Sequence, residues 1–238
     1  MNRLAQSALL FLLGATLLHA GTTDLYLRYV KSGLRPLVLL AGAVLIATAA
    51  ATLWYERRST PGHAHHEHHH EPRISWLLAL PVLALILVAP PALGSYSASH
   101  TGTALTKPFG FPGLPEGDAP LRLGVADYAG RAVYDNGRSL HDRELKITGF
   151  VTLDRSGAPY LVRMGLNCCA ADAQPVKIAL TGNVPPVLAP DTWLEVTGRY
   201  TPRRTKDPVN DGPIPYVEVT RARPVPTPHD PYDETWNT

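Results

Sequence analysis

The chain is poor in cysteine, in methionine and in net charge. Two cysteines in 238 residues exclude a disulfide-stapled scaffold. Twenty-two Lys and Arg against twenty Asp and Glu leave a net charge of +2. That argues against a bulk nucleic-acid binder, whose mark is a strong basic excess. With 45% hydrophobic and 18% charged residues, the chain is neither disordered nor collagen-like. It also lacks a nucleophile motif, a P-loop and a dinucleotide-binding glycine loop. Asp127, Asp135 and Asp142 are scattered, so no catalytic constellation emerges and the chain does not read as an enzyme.

The most informative absence is local. Residues 4–21, 36–55 and 74–106 contain no Asp, Glu, Lys or Arg, and each of these gaps begins with an apolar run. About 20 apolar residues cross the ~30 Å hydrocarbon core as a helix, and a charge at the centre of such a run costs several kcal/mol. The spacing predicts three membrane spans, at about 4–21, 35–54 and 74–93, within a transmembrane region 1–94. Trp54 and Tyr55 beside Arg57 and Arg58 suit an interfacial belt. Pro81 is tolerable within a membrane helix, and Pro90 and Pro91 end the third run. The first run also has the shape of a secretory signal, with Arg3 as its n-region. Leu18 and Ala20 before Gly21 make a poor cleavage context, which favours a retained anchor. Charges flanking the spans tie at four against four. The nearly neutral stretch after the third span suits translocation, so the C-terminal domain is expected outside the cytoplasm.

Between the second and third runs lies a loop, 61–71, that holds six of the ten histidines: His63, His65, His66, His68, His69 and His70. Neutral imidazole ligates zinc, nickel or copper, and a His-rich tract is a metal-binding composition. Pro61 and Gly62 leave the rings free to converge, yet nothing fixes a second shell, so selectivity is expected to be poor. A polar, pH-responsive linker is the alternative. With three spans this loop and the C-terminal domain face opposite sides of the membrane.

Residues 95–120 are rich in Gly, Ser, Thr and Pro and read as a linker to a β-domain at 121–238. A short helix is expected around Leu123 to Tyr128. Five strands follow, at 144–153, 160–164, 176–180, 193–200 and 216–220, with Gly, Pro and Asp between them. Such a run predicts an all-β, OB-like small barrel over about 143–225. Gly149 and Gly198 fall in strand interiors, where a small barrel bends. OB barrels often bind nucleic acid, but this one has no basic excess.

Both cysteines, Cys168 and Cys169, are adjacent, with Asp172 close by. A disulfide between neighbours strains the intervening peptide. Three readings stay open: soft metal ligands completed by Asp172, a reactive thiolate, or a tight turn that buries one small side chain. Without a Cys-x-x-Cys spacing, thioredoxin-type chemistry is not expected.

Taken together, the spans, the histidine loop and the β-domain resemble the YcgQ family of bacterial membrane proteins. The local matches are Ile147-Thr-Gly-Phe-Val, the segment from Cys169 to Asp172, the run from Asp191 to Gly198, and His229-Asp-Pro-Tyr232. The resemblance implies the small subunit of a two-component permease, partnered by a YcgR-type permease and linked to zinc or related metal homeostasis. Two alternatives are a membrane-tethered thiol protein using Cys168 or Cys169, and a purely structural docking module.

Overall fold

The structure, a computed structural model, describes residues 3–58, 83–84, 87–88, 90–117, 120–140 and 143–233. The chain divides into two compact units, one of residues 1–26 and 32–91, the other of residues 27–31 and 92–238. The histidine loop at 61–71 and most of the third run at 74–93 lie outside the described residues.

In the first unit, helix α1 (Arg3–Thr22) and helix α2 (Arg35–Arg58) form an antiparallel hairpin. Both are long and apolar enough to cross a membrane. Small residues recur every seven positions on the contact face: Ser7, Gly14 and Gly21 on α1, Gly42 and Ala49 on α2. A Cβ on Gly14 would stand 2.8 Å from the Gly42 carbonyl oxygen. The bare backbones therefore let the helices approach closely, as small residues do between membrane helices. Phe11, Leu37, Leu40, Val44 and Leu53 are exposed, which fits helices whose outer faces meet lipid. At the end of α2 the Arg58 guanidinium sits 3.9 Å from the Trp54 ring centroid.

The second unit carries a closed five-strand barrel. Its strands are β2 (Leu145–Leu153), β3 (Pro159–Gly165), β4 (Gln174–Gly182), β5 (Trp193–Lys206) and β6 (Pro213–Pro224). They pair β2–β5–β6–β4–β3 and close back through β2–β3, with only β4–β6 parallel. Five antiparallel-dominated strands closed by one parallel pair make an OB-like barrel. Two short strands extend it: β1 (Leu121–Leu123) alongside β2 and β7 (Tyr232–Asp233) alongside β3, both parallel. All five expected strands are present, and β5 and β6 run several residues longer than expected. Gly198 sits at a register shift in the β5–β6 ladder, where an added Cβ would run into the Glu218 carbonyl. Gly149 lies against the Val162 carbonyl in the same manner. Both glycines thus mark close backbone approaches.

Strand alternation sends two sets of side chains to opposite faces. Leu145, Ile147, Val151, Leu161, Ile178, Leu194 and Val196 fill the barrel. Helix α4 (Val125–Tyr134) closes one end with Val125, Tyr128, Ala129 and Ala132. It begins where a short helix was expected and runs further, because its apolar residues keep helical spacing through Val133. The Tyr128 hydroxyl donates to the Tyr216 carbonyl at 2.6 Å, and burial pushes its pKa up. Arg204 at the far end of β5 donates to the Ala132 carbonyl at 2.8 Å, a favourable place for a cation at a helix C-terminus.

The opposite set, Phe150, Val162, Met164, Ala179 and Ile214, forms a second apolar layer outside the barrel. Residues 95–117, expected as a linker, help to cover it and hold the barrel. Helix α3 (Ser95–His100) buries Ala98 in this layer. Asp191 accepts from the Ser95 amide and hydroxyl at 2.6 and 2.8 Å. Further on, the Thr103 amide donates to Asp207 at 2.8 Å, and the same Asp207 oxygen meets the Lys177 ammonium at 2.8 Å. Both charges are almost wholly buried. The Gly/Ser/Thr/Pro composition hid this because the segment packs through small residues and side-chain hydrogen bonds rather than through periodic apolar ones.

Candidate metal centre

The turn from β3 to β4 carries both cysteines. A single 3-10 turn, Ala170–Asp172, folds the chain back so that Asp172 faces the residues before it. Its carboxylate accepts the Asn167 amide at 3.0 Å and the Cys168 amide at 2.8 Å. The Cys168 thiol, the Cys169 thiol and an Asp172 carboxylate oxygen all lie within 4.8 Å of one another. Cys168 is exposed and Cys169 is half-buried, and both are free thiols. The Asx-like turn is therefore what brings the third donor to the cysteine pair, and a separation of three residues in sequence does not by itself reveal that.

A second segment braces this turn. Val30 forms an antiparallel bridge with Cys169. The Lys31 amide donates to the Cys168 carbonyl at 3.1 Å, and the Ala170 amide donates to the Tyr29 carbonyl at 2.7 Å. Tyr232 ties the same segment down, its hydroxyl donating to the Arg28 carbonyl at 2.9 Å while accepting from the Leu93 amide at 3.1 Å. The sequence expectations gave residues 28–31 no role beyond the charges that flank the spans. The signal available was Leu27-Arg-Tyr-Val-Lys31, a short β-prone alternation between two helical runs.

Electrostatics favour a protonated Cys168 thiol over a free thiolate at neutral pH. The Cys168 thiol is pushed up to about 11, chiefly by its hydrogen bond to Asp172 and then by Cys169. The same Cys168 hydrogen bond holds the Asp172 carboxyl below the usual carboxylate range, and the amides of Asn167, Cys168 and Cys169 act in the same sense. A nucleophilic cysteine needs a depressed pKa, and this arrangement supplies the reverse. A cation would displace the thiol proton and find two sulfurs and a carboxylate. In tetrahedral zinc geometry, ligands at about 2.3 Å stand roughly 3.7 Å apart. The three donors lie within 4.8 Å of one another, so they would need to close by at most about an ångström, which rotation of partly exposed side chains can supply.

The electrostatic account predicts that Asp172→Asn frees Cys168. Its thiol pKa should fall from about 11 towards the ordinary value, and alkylation of Cys168 near pH 8 should quicken about tenfold or more. Mass-spectrometric alkylation rates over a pH series measure this, and an unchanged profile would contradict the hydrogen-bond assignment.

Among the described residues the other carboxylates do not assemble into a site. Asp127 pairs with Arg131 at 2.7 Å, and Asp135 accepts from the Ser139 amide at 2.7 Å and pairs with Arg138. Asp142, like His63, His65, His66, His68, His69 and His70, lies outside the described residues.

Residues 122–233, nearly half of the chain, match the family described as the DUF1980 C-terminal domain. The match spans the barrel and the cysteine turn. The chain matches no curated protein and no solved structure.

Proposed function

We propose that this chain is a membrane-anchored accessory subunit of a two-component permease, and that its barrel takes up a thiophilic divalent metal, zinc first among candidates, at Cys168, Cys169 and Asp172. The observation that carries this reading is the convergence of three metal-competent donors within 4.8 Å. Structural zinc sites are closed by four protein ligands, whereas three protein ligands leave a position open. An open position suits capture and hand-over better than structural bracing. The raised Cys168 pKa weighs against the alternative of a thiol enzyme. The YcgR-type partner follows from the family resemblance and stands as part of this proposal.

The reading includes three membrane crossings. Residues 28–31 lie between α1 and α2, and so mark the face on which α2 begins. Those residues hydrogen-bond to 168–170 of the barrel unit. If α2 crosses the membrane, the chain emerges on the other face at Arg58 and must return before Ala92. The apolar, uncharged run at 74–93 is the stretch able to do so. The histidine loop then lies on the face opposite the cysteine turn and serves as a separate, looser metal collector.

Single-cysteine accessibility mapping on a Cys168→Ser/Cys169→Ser background tests the topology. Probes at Ser32 and Ser156 should label from one side of sealed vesicles and a probe at Ser59 from the other. Labelling of all three from one side would refute three crossings. For the function, the doubly substituted chain should still co-purify with its polytopic partner yet fail to restore growth under zinc stress. Full restoration would remove the cysteine turn from the transport role.

A further inference from the structure

The cysteine turn has little of its own to hold it in shape. No residue from Asn167 to Gln174 is buried, so none of its side chains anchors it in the core. From within, Asp172 gathers the Asn167 and Cys168 amides at 3.0 and 2.8 Å. From outside, residues 29–31 clamp the main chain on both sides of Cys169. The Lys31 amide donates to the Cys168 carbonyl at 3.1 Å, and the Ala170 amide donates to the Tyr29 carbonyl at 2.7 Å. The clamp is itself anchored. Leu27 is buried, and the Tyr232 hydroxyl donates to the Arg28 carbonyl at 2.9 Å. Tyr232 lies in the outer apolar layer, paired with Met164 of β3.

These two fastenings differ once a cation arrives. An Asp172 oxygen that turns to a metal gives up part of its hold on the turn's amides. The bonds across Val30 and Cys169 use backbone groups alone and compete with no metal donor. They fix the main chain that carries both thiols, and donors held in place beforehand lose less freedom on binding. We infer that residues 28–31 are the positioning element of the metal site, and that metal binding and the docking of this link between α1 and α2 form one coupled equilibrium. The inference rests on the metal reading of Cys168, Cys169 and Asp172. Such coupling is reciprocal. The docked link tightens metal binding, and bound metal tightens the link. Release of metal loosens the link, so the metal state of an exposed turn reaches the segment from which α2 starts.

The test uses the full chain in detergent, with the six loop histidines changed to alanine and cobalt(II) as the probe. The thiolate-to-cobalt band reads affinity, and amide hydrogen exchange is followed in peptides covering 26–34 and 166–174. Cobalt should slow exchange of the Lys31 and Ala170 amides about tenfold, within the roughly 5- to 150-fold range of coupled sites. Lys31→Pro removes the donating amide and should weaken cobalt binding by a similar factor. Lys31→Ala keeps the amide and should bind as the parent does. Tyr232→Phe keeps the buried ring but releases Arg28, and should weaken cobalt binding in the same direction while exchange in the barrel strands stays unchanged. A thiolate band in the parent without any change of exchange over 26–34 would overturn the coupling and leave the metal reading standing. So would Lys31→Pro and Tyr232→Phe chains that both bind cobalt like the parent. A parent with no thiolate band would overturn the metal reading, and this inference with it.

Discussion

Replacing Cys169 by serine in the full chain should lower its affinity for zinc roughly 100- to 1,000-fold. Structural zinc sites gain about 10–16 kcal/mol in total from their ligands, so one thiolate is worth on the order of 3–4 kcal/mol, and each ~1.4 kcal/mol is tenfold. Cys168→Ser should cost a similar factor. The histidine tract at 63–70 is proposed as a second, nitrogen-based collector, so total binding is the wrong readout. Cobalt substitution separates the two sites, because thiolate ligation gives a charge-transfer band that imidazole ligation does not. The band should be strong in the parent chain, weak in either serine variant, and unaltered when the six loop histidines are changed to alanine. The pH dependence has a definite sign. The metal-free Cys168 thiol stays protonated until about 11, so binding at neutral pH releases its proton. Affinity should fall about tenfold per pH unit of acidification for each proton released. A pH-independent affinity between about pH 8 and pH 6 would speak against thiolate ligation.

The second large effect lies away from the turn. Asp207→Ala should destabilise the barrel unit by about 3–5 kcal/mol, because it leaves the Lys177 ammonium buried without its counter-ion. Lys177 and Asp207 side chains are 4% and 0% exposed and meet at 2.8 Å. Lys177 also donates to the Thr101 carbonyl at 2.9 Å, and Asp207 accepts from the Thr103 and Val209 amides. The pair therefore fastens residues 101–103 to strand β4 and to the β5–β6 turn. Loss of one partner should lower the thermal midpoint by about 10 °C or more, read through the Trp193 signal. The double variant Lys177→Met/Asp207→Asn should recover much of the loss, since it removes both charges and keeps an acceptor for the amides. A double variant as unstable as the single one would mean that packing, not the stranded charge, sets the cost.

The barrel was legible because its code is local. Alternating residues in 145–153 and 193–200, with Gly149 and Gly198 at the bends, show strand identity directly. The two hairpin helices were legible for a related reason: a charge gap as long as the bilayer is thick leaves few alternatives. What could not be read depends on contacts between distant parts of the chain. Residues 95–117 have a linker's composition, yet Ala98 is fully buried and Thr103 is fixed by residues a hundred positions away. The cysteine turn was visible as a pair with an acidic neighbour. The brace from 29–31 joins residues nearly 140 positions apart in sequence, and no periodicity records such a bridge.

X-ray absorption at the zinc edge of the full chain, loaded with one equivalent of zinc, is the most direct test of the account. Two sulfur ligands at about 2.3 Å together with oxygen or nitrogen ligands at about 2.0–2.2 Å would be the signature of Cys168, Cys169 and Asp172 holding the ion. A shell of nitrogen and oxygen alone would contradict the account and assign the metal to the histidine loop.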